Sequence, residues 1–241
     1  MEDFSRTFGD KDVATDERER LIRRVFKNVA PRYDLMNDLM SMGIHRLWKR
    51  TLARKAAPGP GQVVVDLAGG TGDVAAHMAG PDRTVVVCDP STEMMRVGLQ
   101  RMLPNVDWLA GTGEMMPLAE SSVDTVTIAF GIRNVSNMEN AFAEILRVLR
   151  PGGHFLCLEF STPVAVVRPA YELFSRTVIP RLGAWVSRNE DAYHYLIESI
   201  RRFPDQETMK GLMEEAGFTD VSWRNFSLGI ACLHTGTRPA S

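Results

Sequence analysis

The residues best placed to do chemistry lie in Val63-Val-Val-Asp66-Leu-Ala68-Gly69-Gly70-Thr71-Gly72-Asp73, which reads as a short apolar strand, a glycine-rich turn and a helix start. Glycines there let backbone approach a ligand closely and aim helix N-terminal N–H groups at it. Gly70-Thr-Gly72-Asp-Val-Ala75 satisfies the dinucleotide pattern G-x-G-x-x-G/A, and Asp89 ends the next strand, where a carboxylate can hold a pair of ribose hydroxyls. Taken alone, the turn permits a nicotinamide-dependent oxidoreductase. Asp66 and Asp73 place negative charge around the loop, however, which suits a cationic sulfonium bearing an amino acid better than a pyrophosphate dianion. The charge argues for S-adenosyl-L-methionine.

These groups need elements to position them. After the boundary Pro58-Gly-Pro-Gly61, strand signatures at 63–67, 84–88, 106–109, 125–130 and 155–159 are interleaved with helical patterns ending at Met78, over 92–102 and over 137–149. Strand and helix units of this length, with apolar and β-branched strands, imply a parallel sheet covered on both faces. A final helix, 205–216, precedes strands 220–225 and 228–234, whose short joint allows an antiparallel pair. Before the boundary the chain reads as helices, from Thr15 to Pro31, from Asp34 to Met42 and from His45 onward. In the last of these Ile44, Leu47, Trp48 and Leu52 line one side and Arg46, Lys49, Arg50, Arg54 and Lys55 the rest. The expected organisation is one 1–241 domain: a helical substrate-side region at 13–57, a cofactor core at 62–161, a helical lid at 164–203 and a closing unit at 205–241.

Composition narrows the partners. With 28 Lys+Arg against 30 Asp+Glu, no global positive field exists to hold a nucleic-acid backbone. Cys88, Cys157 and Cys232 lie far apart in apolar runs without metal-ligand spacing, so they read as buried thiols in a reducing compartment, and no metal is expected. No apolar stretch approaches the roughly 20 residues that span a bilayer. The expected location is cytoplasmic or at a membrane surface.

Asp89-Pro-Ser-Thr-Glu-Met-Met95 and the turn Leu149-Arg-Pro-Gly-Gly153 before an apolar strand resemble class I methyltransferases. That resemblance implies a seven-stranded, mostly parallel sheet with an antiparallel final strand, ribose contact by Asp89, and cofactor contacts from Asp66, Ala68, Gly70, Thr71 and Gly72. It also places Thr112 and Gly113 beside adenine, through the Thr112 hydroxyl or through backbone, with Ala129 at another cofactor-side position. Tyr33-Asp34-Leu-Met36-Asn37-Asp-Leu-Met-Ser41-Met-Gly-Ile-His45-Arg-Leu-Trp48, Arg147-Val-Leu-Arg150-Pro-Gly-Gly153-His-Phe-Leu-Cys-Leu-Glu159-Phe-Ser161 and Phe130-Gly-Ile-Arg133-Asn134-Val resemble, over almost the whole chain, the UbiE family, the C-methyltransferases of ubiquinone and menaquinone biosynthesis. Departures are small: Arg150 where Lys is commoner, and Thr112-Gly113 and Ala129 where Asn-Ala and Ser are frequent.

The resemblance implies methyl transfer to a ring carbon of a polyprenylated quinol, whose hydroxyl must be deprotonated or polarised as the methyl approaches. Tyr33, Asp34, Asn37, His45, Arg133 and Asn134 are the catalytic candidates. Arg133 cannot act as a base near neutral pH but can stabilise a phenolate or orient a water. His45 serves either as a base or as a structural hydrogen-bonding group at a helix start. Tyr33, Asp34 and Asn37 share a helical face and are either catalytic or a capping cluster. Tyr193, His194 and Tyr195 either meet the quinol head or pack within the lid. The stripe Tyr171, Phe174, Val178, Leu182 and Trp185 is either lid core or a lipid tunnel, and the arginines Arg168, Arg176, Arg181 and Arg188 beside it, with those of 46–55, suit anionic lipid at an inner membrane. A homodimer and other quinone-biosynthesis proteins are the remaining expected partners, and a non-catalytic cofactor-binding scaffold is the non-enzyme alternative.

Overall fold

The computed structural model describes residues 7–8, 11–12, 17–18, 20–22, 38, 41, 43–169, 171–174, 177 and 190–240, with backbone alone for 7, 8, 11, 12, 190–194 and 196. Tyr33, Asp34 and Asn37, the side chains of Tyr193 and His194, and Val178, Leu182, Trp185, Arg176, Arg181 and Arg188 lie outside the described residues.

Seven strands form one sheet: β1 (Val63–Leu67), β2 (Thr84–Asp89), β3 (Val106–Ala110), β4 (Val123–Ala129), β5 (Leu149–Phe160), β6 (Thr219–Phe226) and β7 (Ala231–Thr237). Their order is β3-β2-β1-β4-β5-β7-β6. The first five run parallel and β7 is antiparallel to both neighbours. β1 is followed on one side by β2 and on the other by β4, so the order reverses there, and a crevice opens outside the carboxyl ends of these strands.

Among the described residues the helices that flank the sheet are α1 (His45–Ala56), α2 (Asp73–Met78), α3 (Thr92–Leu99), α4 (Met138–Val148), α5 (Glu190–Arg202) and α6 (Gln206–Glu215). Apolar spacing sends Phe142, Ile145 and Val148 of α4 and Met209 and Met213 of α6 into one core with Phe155 and Phe218. Trp48, Leu52, Ala53 and Ala56 of α1 join Val74, Ala75 and Met78 of α2 in a second core that holds Val64, Leu156 and Leu158. Both faces of the sheet are thus covered, as continuous apolar strands require.

Several boundaries differ from the sequence expectation. α3 stops at Leu99 rather than Met102, because Arg101 N–H donates to the Gly98 carbonyl and Met102 N–H to that of Leu99, and Met102 turns left-handed at φ +49°. β5 begins at Leu149, not Phe155; Pro151-Gly-Gly153 is a bulge between the pairs Val123–Leu149 and Thr125–His154. β7 starts three residues late because Ser227 and Leu228 take left-handed φ of +46° and +58°. Near the N-terminus Thr7–Phe8 and Lys11–Asp12 form a two-residue antiparallel ladder. On α1, Leu47 is 57% exposed while Lys49 is 5% exposed, the reverse of the expected stripe. The buried face runs through His45, Trp48, Lys49, Leu52, Ala53 and Ala56, the spacing of a helix docked along one side.

Candidate active site

A cavity of about 710 Å³ occupies the crevice at the strands' carboxyl ends. Its floor is the turn after β1. Ala68 takes a left-handed φ of +51° and its N–H donates to the Cys88 carbonyl at 2.7 Å, so β1 and β2 leave the sheet tied together. Gly70, at φ +57°, has Met94 Cε only 3.1 Å from where a Cβ would stand. Gly131 abuts the same turn: a Cβ there would lie 2.7 Å from that of Ala68.

Asp66 lies beneath this turn. Its Oδ1 accepts from the Thr127 hydroxyl at 3.0 Å and its Oδ2 from Ala75 N–H at 3.2 Å, which fixes the first turn of α2 against β4. Burial pushes its carboxyl up to about 7 despite these donors. Asp89 is 6% exposed and binds backbone with both oxygens: Oδ2 accepts from Gly70 N–H and Oδ1 from Ser91 N–H, each at 2.8 Å. Burial raises it to about 6, so it is mostly ionised at neutral pH, and each oxygen keeps a lone pair for a ligand hydroxyl.

Of the expected cofactor residues, Asp66, Ala68, Gly70, Thr71, Asp89, Thr112, Gly113 and Ala129 all line the cavity. Gly72 does not. It caps α2 at φ +76°, where Trp108 Cη2 would stand 2.8 Å from a Cβ, so its role is to let the turn close over Trp108. Thr112 exchanges backbone hydrogen bonds with Met115 at 3.1 and 3.3 Å, which commits its N–H to the turn and leaves its hydroxyl, or Gly113, for a base.

The charge around the loop needs correction. Asp73 Oδ2 accepts from Lys49 Nζ at 3.1 Å, and Arg101 Nη2 stands 3.7 Å from Asp73 Oδ1. Burial alone would raise the Asp73 carboxyl, but Lys49 and Arg101 outweigh it and hold it low. Asp73 therefore carries no uncompensated charge, and the carboxylate mostly ionised and facing a ligand at neutral pH is Asp89, Asp66 being raised to about 7 with both oxygens already engaged.

The acceptor-side candidates divide. Asn134 lines the cavity and accepts at Oδ1 from the Tyr195 hydroxyl, 2.8 Å away. Arg133 is not among the lining residues. Its Nη1 donates to the Phe130 carbonyl at 2.8 Å and to Glu159 Oε1 at 2.5 Å, and its guanidinium stands 5.6 Å from the centroid of Phe160. Burial keeps the Glu159 carboxyl raised even beside this cation. Arg133 Nε, Glu159 Oε2 and Ser161 Oγ are buried without a partner among the described residues, so the pair retains polar capacity. His45 is also absent from the lining: its Nδ1 is 2.7 Å from Ser41 Oγ, and burial drives it down to about 4. It is therefore neutral and weakly basic at pH 7.

Sequence reasoning missed three contributors. Arg18 is buried and donates to the carbonyls of Arg133, Asn134 and Val135 at 3.3, 3.5 and 3.2 Å, clamping the N-terminal helical segment onto the exit of β4, while Ile22 of that segment reaches the cavity. Glu114 Oε1 accepts from Ser136 and Asn137 N–H at 2.5 and 3.1 Å and joins the loop after β3 to the start of α4. Lys49 lines the cavity from α1. Each acts across 22 or more residues, where local pattern carries no signal. Among the described residues no cluster has metal-ligand character.

An S-adenosyl nucleoside fits this set of groups: a buried carboxylate for a ribose, a small-residue turn, hydroxyl and backbone groups at the far end, and a volume in the range of small-molecule sites. Solved structures share the architecture. A SAM-dependent methyltransferase from Thermotoga maritima superposes with a TM-score of 0.66 at 20% identity, over 89% of this chain and 98% of that one. The [4+2]-cyclase SpnF gives 0.68 at 14% identity, over 92% and 97%. At such identities the likeness speaks for the fold alone. Curated relatives are much nearer: the ubiquinone/menaquinone biosynthesis C-methyltransferase UbiE of Rubrivivax gelatinosus is 62% identical, covering 99% of this chain and 95% of its own. The protein of the same name from Caulobacter vibrioides is 47% identical over 98% and 99%. The profile of the ubiE/COQ5 methyltransferase family matches residues 12–238, and the chain belongs to that family of S-adenosylmethionine-dependent C-methyltransferases.

Proposed function

We propose that this chain methylates a ring carbon of a polyprenylated quinol, a benzoquinol, a demethylmenaquinol or both, in ubiquinone and menaquinone synthesis. The observation that carries the reading is the cavity that joins the Asp89 and Gly70 end, built for a nucleoside, to the Phe130–Asn140 wall, where an aromatic acceptor enters. S-adenosylmethionine, when bound, would supply an electrophilic methyl: the ring carbon takes it as the sulfur–methyl bond breaks to leave neutral S-adenosylhomocysteine, and the ring proton passes to water.

The chain's own groups orient and polarise. Asp89 holds the ribose, the 68–71 turn passes close to the donor, and Thr112 or Gly113 meets the base. Asn134, fixed by Tyr195, presents its amide toward the acceptor. The Arg133–Glu159 pair contributes a fixed electrostatic field near the acceptor rather than a base, since arginine stays protonated. Tyr33, Asp34 and Asn37, outside the described residues, are proposed to act on the acceptor from the family resemblance alone.

A polyprenyl tail resides in a bilayer, so the chain meets a membrane surface. No helix among the described residues is long and apolar enough to cross one. The exposed outer face of α1, with Arg50, Arg54 and Lys55 beside Leu47, supports contact with anionic headgroups. The test is a mass spectrum of lipid quinones from cells lacking this chain. Accumulation of a quinone one methyl short is expected; an unchanged quinone profile overturns the assignment.

A further inference from the structure

Among the described residues that line the cavity, Lys49 is the one that carries a positive charge. It is 5% exposed, and burying an ammonium to that degree is costly unless its charge is matched. Its carboxylate partner Asp73, at 3.1 Å, is shared with Arg101, whose Nη2 is 3.7 Å from Asp73 Oδ1. Arg101 Nη1 also donates to the Thr71 carbonyl at 3.0 Å, so the group is anchored to the glycine-rich turn itself. Within this group two cations share one carboxylate, and Asp66, raised to about 7 by burial, offsets the remaining positive charge only in part at neutral pH. An ammonium has three N–H donors, and Asp73 accepts one of them.

A surplus cation beside a turn that also holds Asp89 gives the cavity two unlike ends. Asp89 and Ser91 suit hydroxyls, whereas Lys49 suits an anion. We propose that Lys49 receives the α-carboxylate of the donor's methionine portion, with Asp73 and Arg101 as the positioning residues that fix its ammonium. The assignment rests on the methyl-donor reading and adds the recognition of the amino-acid end to it. Lys49 stands on α1, the helix that begins at His45, so the carboxylate contact also ties α1 to the loaded site.

The test compares S-adenosylhomocysteine with 5′-methylthioadenosine, which keeps the nucleoside and thioether but lacks the amino-acid carboxylate. Affinities for the full-length chain are measured by titration calorimetry. Lys49→Met keeps the length of the side chain and leaves Asp73 with Arg101. It is expected to weaken S-adenosylhomocysteine about 10-fold or more, the scale of one charge-assisted hydrogen bond, and to leave 5′-methylthioadenosine within about twofold. Equal losses for both ligands, or none for either, overturn the proposal. Lys49→Arg, which keeps the charge, is expected to retain most of the selectivity for S-adenosylhomocysteine and serves if the methionine variant does not fold; loss of that selectivity counts against the role. A wild-type chain that binds neither ligand refutes the donor reading itself, which separates the two failures.

Discussion

Replacing Asp89 by Asn separates ligand recognition from support of the turn. In the folded chain both carboxylate oxygens accept a backbone N–H at 2.8 Å, so an amide places an NH₂ against one of these donors and loses one charge-assisted bond. That loss is worth about 1.5–3 kcal/mol. Burial nevertheless outweighs both donors: the net rise of Asp89 from 3.8 to about 6 penalises the ionised form by roughly 3 kcal/mol at pH 7 with these bonds already included. A neutral amide removes that net penalty, so the unliganded variant is expected to be at least as stable as the wild type. Ribose recognition has no such compensation. Two hydroxyls lose a charged acceptor, about 1.5 kcal/mol each, so S-adenosylhomocysteine should bind about 100-fold more weakly. The pH dependence has a fixed sign. Because the folded carboxyl lies above its unfolded value, its contribution to stability is present at low pH and lost as pH rises through about 6, and Asp89→Asn abolishes that component. Wild-type affinity should fall as pH drops below about 6, since the protonated acid is the weaker acceptor. Calorimetric titration and urea unfolding from pH 5 to 8 measure both. Undiminished affinity in a strongly destabilised variant would make Asp89 a turn support only.

Arg133→Ala leaves Glu159, 1% exposed, without its cation and is expected to cost about 3–5 kcal/mol in urea unfolding. Arg133→Met with Glu159→Leu should recover most of that stability; if turnover then also returns to the wild-type level, the electrostatic role of the pair is wrong. His45, lowered to about 4, is neutral when folded and gains a proton near 6.5 when unfolded, so stability present at pH 7 is lost as pH falls toward 4, by up to roughly 3 kcal/mol. His45→Gln should flatten the unfolding midpoint over that window, and an unchanged slope would refute the assignment. At Gly98 a Cβ would stand 2.0 Å from Trp108 Cη2, and the same ring stands 2.8 Å from a Cβ at Gly72. Gly98→Ala should therefore lower thermal stability by about 1–3 kcal/mol and weaken S-adenosylhomocysteine, with Trp108→Phe restoring part of both.

The strands were legible because they are apolar and β-branched and leave into glycine or polar turns; β1 and β3 end within a residue of expectation. Boundaries failed where backbone conformation, not residue type, decides. Nothing in the composition of Ser227-Leu228 announces two left-handed residues, nor does the run Leu149–Gly153 announce pairing on both sides of a bulge. That Ala68, Gly70, Thr71 and Asp89 come together in one cavity was readable because they are close in sequence or at the ends of adjacent strands. The charge pattern was not. Asp73 looks anionic in its local segment, and its partners come from elsewhere: Lys49 from α1, packed on α2, and Arg101 from the turn after α3. Arg133 stands in a readable strand exit, but its guanidinium is taken by Glu159, 26 residues away on the neighbouring strand.

The most direct measurement supplies the purified chain with S-[methyl-¹³C]-adenosylmethionine and a reduced, short-chain demethyl quinol, then locates the label in the product by NMR. The predicted outcome is one ¹³C methyl on a ring carbon, formed together with one equivalent of S-adenosylhomocysteine and dependent on Asp89. A labelled methyl on oxygen, or an unmethylated quinol recovered from a chain that binds the donor, would contradict it.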